Sequence, residues 1–412
     1  MKARSDIHND SSYRLAGRVP PAGRIRLFTA VWLSLALLPL VGCGLEEAVG
    51  SDSESDSLGR NKQGESTVYT QAVPVADPYR AKLPNDSSLH NFARSIWDMH
   101  AFDGRIFMGA GDFMANSGPT DVWTYREVNG QAALEVELTV DDEAVTMIHE
   151  ADGLLMIPGI DSTESWDLGN IYVRASSAWT KHRTVPNGVH VYDMARYQGN
   201  YYVHRGDGHK YQTLESTDGG QTWRKISSQA GRMMGLDSHL VIMTNGKRGS
   251  VFLYDGTRVS KMSGPAFPDS PRSHNVVTRM VRYHDGVLYT SGRQNQPESS
   301  SALFFLNDFD AGPMTIVDFG TGGDQAVQDV LVRGDTVYVL AVSTELTATG
   351  QYRGIIVASE DLTNWRPTAD FVVPAPPFSV ELLDGVFYVG LGAEGWFHDT
   401  VSAASGSIWR LE

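Results

Sequence analysis

The feature of this 412-residue chain that most restricts its fold is a repeated unit of two apolar strands joined by a tight turn. The unit occurs seven times, with turns at Asp103-Gly104, Asp152-Gly153, Gln198-Gly199, Asp237-Ser238, Asp285-Gly286, Gly334-Asp335 and Asp384-Gly385. Successive turns are separated by 39 to 50 residues. Asp-Gly between apolar runs predicts a β-hairpin, because a two-residue turn needs positive φ at its central positions.

This period predicts an all-β, seven-bladed β-propeller, since each interval holds enough chain for the four strands of one blade. Third strands are predicted at residues 170–174, 250–254, 302–306 and 354–358. The last unit lacks a fourth strand, and we expect residues 67–73 to supply it and close the ring, which would remove an exposed sheet edge. Six or eight blades are the alternative counts. A pair of β-sandwiches would not explain the near-equal spacing.

A second pattern is the turn sequence Ser216-Thr-Asp218-Gly-Gly220-Gln-Thr222-Trp223. It resembles the Asp-box, also called the BNR repeat, of sialidase-type propellers and their non-enzymatic relatives. Residues 359–365 form a weaker copy without the glycine, and residues 176–179 a weaker one still. In the families that it resembles, the box lies on the turn between the third and fourth strands, on the ring face opposite the usual ligand site.

The side chains of this turn are suited to folding rather than to chemistry. Ser216 and Asp218 are expected to bond to the turn backbone, and Gly220 to adopt a positive φ. Trp223 is then expected to pack between neighbouring blades. We therefore interpret Asp218 as structural and not as a catalytic residue.

The amino terminus has the pattern of an export signal. Basic residues continue to Arg26, and residues 27–41 form an apolar stretch of 15, too short for a membrane span and typical of a signal-peptide core. The sequence Leu40-Val41-Gly42-Cys43 resembles the bacterial lipobox, which implies cleavage before Cys43 and acylation of that residue. Cys43 is also the only cysteine, so no intrachain disulfide is available.

Three segments are therefore predicted: a lipoprotein signal peptide (1–42), an acidic, Ser-rich flexible tether (43–66) and the propeller (67–412). Acylation at Cys43 predicts a lipid-anchored, extracytoplasmic protein. Gly44 in place of Asp favours the outer membrane if the cell is Gram-negative. The net charge of −15 argues against nucleic acid as a partner, and we expect a monomer.

Strand order predicts which loops share a face. Loops from second to third strands, and connections between blades, should surround one mouth of the central channel, where polar loops on a rigid scaffold usually carry function. The candidate ligand-binding residues of these loops are Asp112, Asn116, Asp121, Asp161, Glu164, Trp166, Asp167, Asn170, His190, Asp193, His204, Arg205 and His209. Carboxylates, amides and an aromatic platform such as Trp166 suit a polyhydroxylated ligand.

No cofactor is expected, but two metal hypotheses remain open. Asp161, Glu164 and Asp167 could supply oxygen ligands for Ca²⁺, although their spacing is not that of an EF-hand. A transition metal at His204, Asp207 and His209 is the other alternative.

These features favour a membrane-tethered propeller that binds a carbohydrate or an extracellular or envelope protein without catalysis. The alternatives are a glycoside hydrolase related to sialidases and an assembly factor for an envelope complex. Sialidases need an Arg-Ile-Pro strand and three arginines for the sugar carboxylate, whereas Arg105-Ile106-Phe107 lacks the proline. We therefore carry no sialidase catalytic residue over to this chain.

Overall fold

The structure is a computed structural model that describes residues 68–80, 93–112, 118–207, 210–268, 275–292, 302–316, 325–343, 345–393 and 402–412. The chain divides into two compact units, residues 1–65 and 66–412. The first lies outside the described residues, as do Cys43, the predicted signal peptide and the whole of the predicted tether. None of the described segments is a helix long and apolar enough to cross a bilayer.

Seven antiparallel sheets confirm the seven-bladed propeller. The first three blades comprise Asp98–Phe102, Arg105–Gly109, Thr120–Val128 and Gln131–Val140; His149–Ala151, Leu154–Pro158, Leu168–Ala175 and Ala178–Pro186; and His190–Tyr197, Asn200–Gly206, Tyr211–Ser216 and Arg224–Ser227. Blades four and five comprise Arg232–Gly235, Leu240–Thr244, Ser250–Tyr254 and Val259–Lys261; and Val276–Tyr283, Gly286–Gly292, Ala302–Leu306 and Met314–Ile316. Blades six and seven comprise Gln325–Arg333, Thr336–Ser343, Tyr352–Ser359 and Arg366–Val373; and Pro377–Leu383, Val386–Leu391, Ile408–Leu411 and Ala72–Ala76.

The first strand of each blade lies innermost, since first strands of neighbouring blades contact one another around the channel. Each first strand runs toward its hairpin turn. These turns, together with those between third and fourth strands, form one ring face, here called the turn face. The opposite face, called the mouth face, carries the second-to-third loops and the connections between blades. All four predicted third strands are confirmed.

Apolar side chains fill each gap between neighbouring blades, in seven clusters that include the gap between blades seven and one. Successive residues of a strand point to opposite faces, so Tyr388 packs toward blade one while Val389 packs toward blade six. Tyr388 contacts Tyr125 across the last gap, with ring centroids 5.4 Å apart. Because both faces of each blade are covered, second strands such as Leu154–Pro158 and Val386–Leu391 are buried at nearly every position, whereas outer strands such as Gln131–Val140 are largely exposed.

The closing strand lies further along the chain than the sequence predicted. Ala72–Ala76, and not residues 67–73, pairs with Ile408–Leu411 as the outer strand of blade seven. Pro74 lies within this strand, and an outer edge strand tolerates proline because one side of its backbone has no partner strand. The register also shifts between Pro74 and Ala76, which accommodates the missing N–H group.

Six of the seven predicted two-residue turns have the predicted register, and in four of them both residues have positive φ. The turn predicted at Asp285-Gly286 is wrong by one residue, because Tyr283 pairs with Gly286 and the turn is His284-Asp285. Gly286 is needed for another reason: a Cβ there would lie 2.5 Å from the carbonyl oxygen of Leu306. At the Asp237-Ser238 turn, Gly235 pairs with Leu240, and the N–H of Leu236 donates to the carbonyl of His239 at 2.8 Å.

Candidate functional site

Two short strands, additional to the usual four strands of a blade, form one side of the mouth. Asp142–Ala144, from the connection between blades one and two, pairs with Ile160–Ser162 from the second-to-third loop of blade two. Ile160 in turn pairs with His190 on the inner strand of blade three, which makes that blade a six-stranded sheet. Gly111 of the first blade pairs with Ala144. The loops of three blades are thereby fixed against one another at the mouth face.

These pairings bring together Asp112, Glu143, Asp161 and His190, here called the mouth cluster. Asp161 and His190 form an ion pair between Oδ1 and Nδ1, and Asp161 has a φ of 58°, unusual for a residue other than glycine. Asp112 and Glu143 are 5% and 8% exposed. Burial, and then the charges of Asp161, Asp112 and Asp142, raises the pKa of Glu143 to about 8. Glu143 is therefore mostly protonated at neutral pH and can donate a hydrogen bond.

Asp142 supports the mouth cluster from below. It is fully buried, and its Oδ2 accepts bonds from the amide of Asn170 at 2.9 Å and the hydroxyl of Tyr172 at 2.7 Å. Burial raises the pKa of Asp142 to about 6. Gly159 makes this packing possible, since a Cβ there would lie 2.6 Å from Oδ1 of Asp142. Asn170 thus positions Asp142 instead of facing a ligand.

A row of aromatic rings adjoins the mouth cluster. The centroids of His190 and Tyr192 are 5.1 Å apart, those of Tyr192 and His204 are 5.0 Å apart, and Tyr211 lies 6.1 Å from His204. Burial lowers the pKa of His204 to about 4, so this imidazole is neutral at physiological pH. Tyr211 is 42% exposed at the end of the row.

The loop after Ile160–Ser162 presents the one predicted aromatic platform. Trp166 is 53% exposed, and its indole N–H donates to the carbonyl of Ser162 at 3.2 Å, beside Asp161. The neighbouring carboxylates are engaged elsewhere: Glu164 binds Lys181 at 2.7 Å, and Asp167 binds Arg183 at 3.0 Å. These ion pairs hold the loop against the outer strand of blade two.

The three carboxylates proposed as Ca²⁺ ligands therefore do not point toward one common site. Asp161 pairs with His190, whereas Glu164 and Asp167 pair with Lys181 and Arg183 on the outer strand of blade two. Within the described ranges no group of three or more His, Cys, Asp or Glu side chains is arranged to hold a metal ion. The alternative site at His204 and Asp207 includes His209, which lies outside the described residues, as does Asn116.

Three other predicted residues have structural contacts. The carboxylate of Asp121 accepts a bond from the hydroxyl of Thr139 at 2.6 Å. Arg205, which is 6% exposed, donates to the carbonyl of Asn187 at 3.1 Å. Asp193 is 1% exposed in the channel wall, where its carboxylate binds His149 at 2.7 Å and accepts the N–H of Met233 at 2.7 Å. We leave these three out of the candidate site.

Sequence reasoning missed Asp142, Glu143, Tyr192 and Tyr211. The first two belong to the acidic run Asp141-Asp142-Glu143 between blades one and two, which is a visible signal. Tyr192 occupies a register shift in the inner strand of blade three, between Val191 and Asp193, which the sequence does not reveal.

The channel beneath the mouth is crossed by charged side chains. Arg279 binds Asp329 at 2.7 Å and donates to the carbonyl of Trp97 on the opposite side of the ring. Arg232 donates to the carbonyls of Tyr192 at 2.7 Å and Val277 at 3.2 Å. A ligand at the mouth therefore meets a polar floor rather than an open pore.

The turn with the Asp-box pattern lies on the turn face, between the third and fourth strands of blade three. Asp218 accepts bonds from the backbone of Gln221 and Thr222 and from the hydroxyls of Thr222 and Ser216. These bonds, that of the Thr222 hydroxyl foremost, hold the pKa of Asp218 below its usual range. The N–H of Gly220, at φ 89°, donates to Ser216 at 2.8 Å. Trp223 packs in the gap between blades two and three.

No protein-family model and no curated protein sequence matches the chain. Similar solved structures include YCF48 bound to D1 peptide, at 12% identity and TM-score 0.48 over 82% of this chain and 95% of that one. YCF48 from Cyanidioschyzon merolae is 10% identical, with TM-score 0.47 over 83% and 98% of the two chains. The Aleuria aurantia lectin in complex with Fucalpha1-6GlcNAc is 9% identical, with TM-score 0.41 over 68% and 96%. At these values the similarities assign no function to this chain.

Proposed function

We propose that this chain is an extracytoplasmic propeller, held at a membrane by acylated Cys43, that binds a carbohydrate at its mouth face without catalysis. The observation that supports this function most is the mouth cluster. It combines a protonated carboxyl, Glu143, with the carboxylate of Asp161 in a setting that three blades hold fixed.

Sugar hydroxyl groups both donate and accept hydrogen bonds, and the mouth cluster offers both partners. Glu143 in its neutral form donates, whereas Asp161 accepts. Hydrogen bonds to a charged carboxylate are the stronger kind, worth about 1.5–3 kcal/mol each. The buried setting of Glu143 keeps competing water away from these groups.

Aromatic side chains flank the cluster and suit the apolar face of a sugar ring. Trp166 projects from the loop that begins at Asp161, and Tyr211 ends the aromatic row that begins at His190. Stacking on such a ring contributes about 0.5–1.5 kcal/mol beyond the buried area. An apolar platform beside polar groups is the usual composition of a sugar-binding surface.

A glycoside hydrolase is the second candidate, favoured by one observation. The pKa of Glu143 is raised to about 8 by burial and by neighbouring carboxylates, and a carboxyl group that keeps its proton at neutral pH is what general-acid catalysis of glycoside cleavage requires. In that function Glu143 would protonate the leaving oxygen.

The test is a glycan array probed with residues 43–412 carrying Cys43→Ser, followed by mass analysis of any bound glycan for cleavage products. We expect binding without turnover. Cleavage that Glu143→Gln abolishes would establish the hydrolase instead. Failure to bind any glycan would contradict both functions and direct the search to a protein partner at the same face.

A further inference from the structure

Two arginines take the place of aspartates in the channel wall. Asp193 on the inner strand of blade three and Asp329 on that of blade six each accept a backbone N–H of the next blade. Arg232 and Arg279 occupy the same position in blades four and five, five residues before the hairpin turn. The inner strands of these two blades contact one another, so two positive charges lie in adjacent parts of the wall.

The charge of Arg279 is balanced by a partner within the ring. Its Nε donates to the carboxylate of Asp329 at 2.7 Å, and its Nη2 donates to the carbonyls of Trp97 and Phe378. A charged side chain that lies inside a protein is usually paired in this way, because an isolated charge is costly to remove from water.

Arg232 has only uncharged acceptors. Its Nε donates to the carbonyl of Val277 at 3.2 Å, and its Nη1 donates to the carbonyl of Tyr192 at 2.7 Å. Among the described residues, no carboxylate oxygen lies within 4.0 Å of this guanidinium, and Nη2 has no acceptor. The side chain is half-buried in the channel wall, so these N–H groups face the channel.

The two acidic residues that act on Arg232 are bound to other groups. Asp193 binds His149 at 2.7 Å, and the carboxylates of Asp193 and Asp98 each accept a backbone N–H of the next blade. Burial lowers the pKa of Arg232, the charges of Asp193 and Asp98 oppose this effect, and the charge of Arg279 adds to it. The surroundings of Arg232 therefore leave its positive charge incompletely compensated.

We propose that a small inorganic anion such as chloride binds in the central channel at the guanidinium of Arg232. The N–H groups without a protein acceptor donate to the anion, and its charge offsets the repulsion between Arg232 and Arg279. Arg279 crosses the channel to the carbonyl of Trp97, which confines this space and favours a small anion over an organic one. Because Arg232 also holds the carbonyl of Tyr192, the anion stabilises the wall beneath the aromatic row.

Exchange of the anion tests this site. Residues 43–412 carrying Cys43→Ser are melted in sodium chloride and in sodium gluconate, whose anion is much larger, at equal ionic strength. We expect a melting temperature about 2 °C or more higher in chloride, because a ligand that binds only the folded state stabilises it. Equal melting temperatures in the two salts would overturn the proposal.

A pair of variants locates the effect. Arg232→Met should remove the difference between the two salts. Arg258→Met is the matched control, at an arginine whose side chain is 81% exposed, and should keep the difference. A difference that persists in a folded Arg232→Met protein would place the anion elsewhere and overturn the assignment to Arg232.

A second measurement is independent of that variant. Crystals of the protein that retains Arg232, soaked in sodium bromide, should show an anomalous scattering peak in hydrogen-bonding contact with its guanidinium. The lack of a peak there would overturn the proposal, as would a peak without any effect of chloride on the melting temperature, which would indicate an adventitious ion only. Neither measurement needs a glycan, so the proposed function and this site can fail separately.

Discussion

The carboxylate of Asp329, on the inner strand of blade six, accepts the backbone N–H of Val380, on the inner strand of blade seven, at 2.8 Å. The same contact joins Asp98 to Ile148 at 2.7 Å and Asp193 to Met233 at 2.7 Å. Each aspartate lies five residues before the first residue of its hairpin turn. Neighbouring blades are therefore joined at the channel by hydrogen bonds as well as by apolar packing.

Asp193→Ala should lower the free energy of unfolding by about 2–5 kcal/mol, because it leaves buried donors on the backbone and on His149 without their acceptor. Urea denaturation followed by tryptophan fluorescence measures this change. Asp237→Ala, at an aspartate whose side chain is 83% exposed, is the control and should change stability little. Similar stabilities for the two variants would show that the contact between blades contributes little.

Removal of the closing strand should destabilise the whole ring. A chain that begins at residue 77 exposes the edge of Ile408–Leu411 and uncovers Trp409, so we expect loss of cooperative unfolding and aggregation. A chain that begins at residue 66 retains the strand and should melt like residues 43–412. Equal melting temperatures for all three chains, measured by circular dichroism, would contradict closure by this strand.

Glu143→Gln should stabilise the protein at alkaline but not at acidic pH. The folded-state pKa of about 8 exceeds the ordinary 4.5, so the folded protein binds more protons than the unfolded chain, and stability falls as pH rises between these values. Glutamine removes this loss. We expect a melting temperature at least about 2 °C above wild type at pH 8 and an equal one at pH 4. A difference that is the same at both pH values would show that Glu143 is not protonated by its surroundings.

Cys43→Ala should release the protein from the membrane fraction, because acyl chains on one residue provide the proposed anchor. Cell fractionation and immunoblotting measure the distribution. Ser53→Ala, in the predicted tether, is the control and should leave the protein with the membrane. A Cys43→Ala protein that still sediments with membranes would contradict lipid anchoring at that residue.

The blade repeat could be read from the sequence because it is local. An Asp-Gly pair and two apolar runs determine a hairpin without help from distant residues, and the third strands follow at regular distances. The error at Gly286 has a physical cause. Glycine is used both where a turn requires positive φ and where another backbone approaches closely, and at Gly286 the reason is the close approach of Leu306. The position of the closing strand was missed because it depends on pairing with Ile408–Leu411, which lies far away in the sequence and leaves no local signal.

The mouth cluster could be predicted only in part. Asp112, Asp161 and His190 were identified as loop residues that share a face, and the structure does bring them together. Glu143 was not, because its position depends on the pairing of Asp142–Ala144 with Ile160–Ser162, two three-residue strands from different blades. Such short, non-local pairing leaves no period in the sequence.

The most direct test of the central claim compares the two ring faces on the same glycan array. Asp161→Asn should weaken binding by about tenfold or more, and Trp166→Ala, at an exposed side chain, by roughly 2–10-fold. Asp218→Asn on the turn face should bind like wild type. The account is contradicted if Asp218→Asn abolishes glycan binding while Asp161→Asn and Trp166→Ala, both folded, retain it.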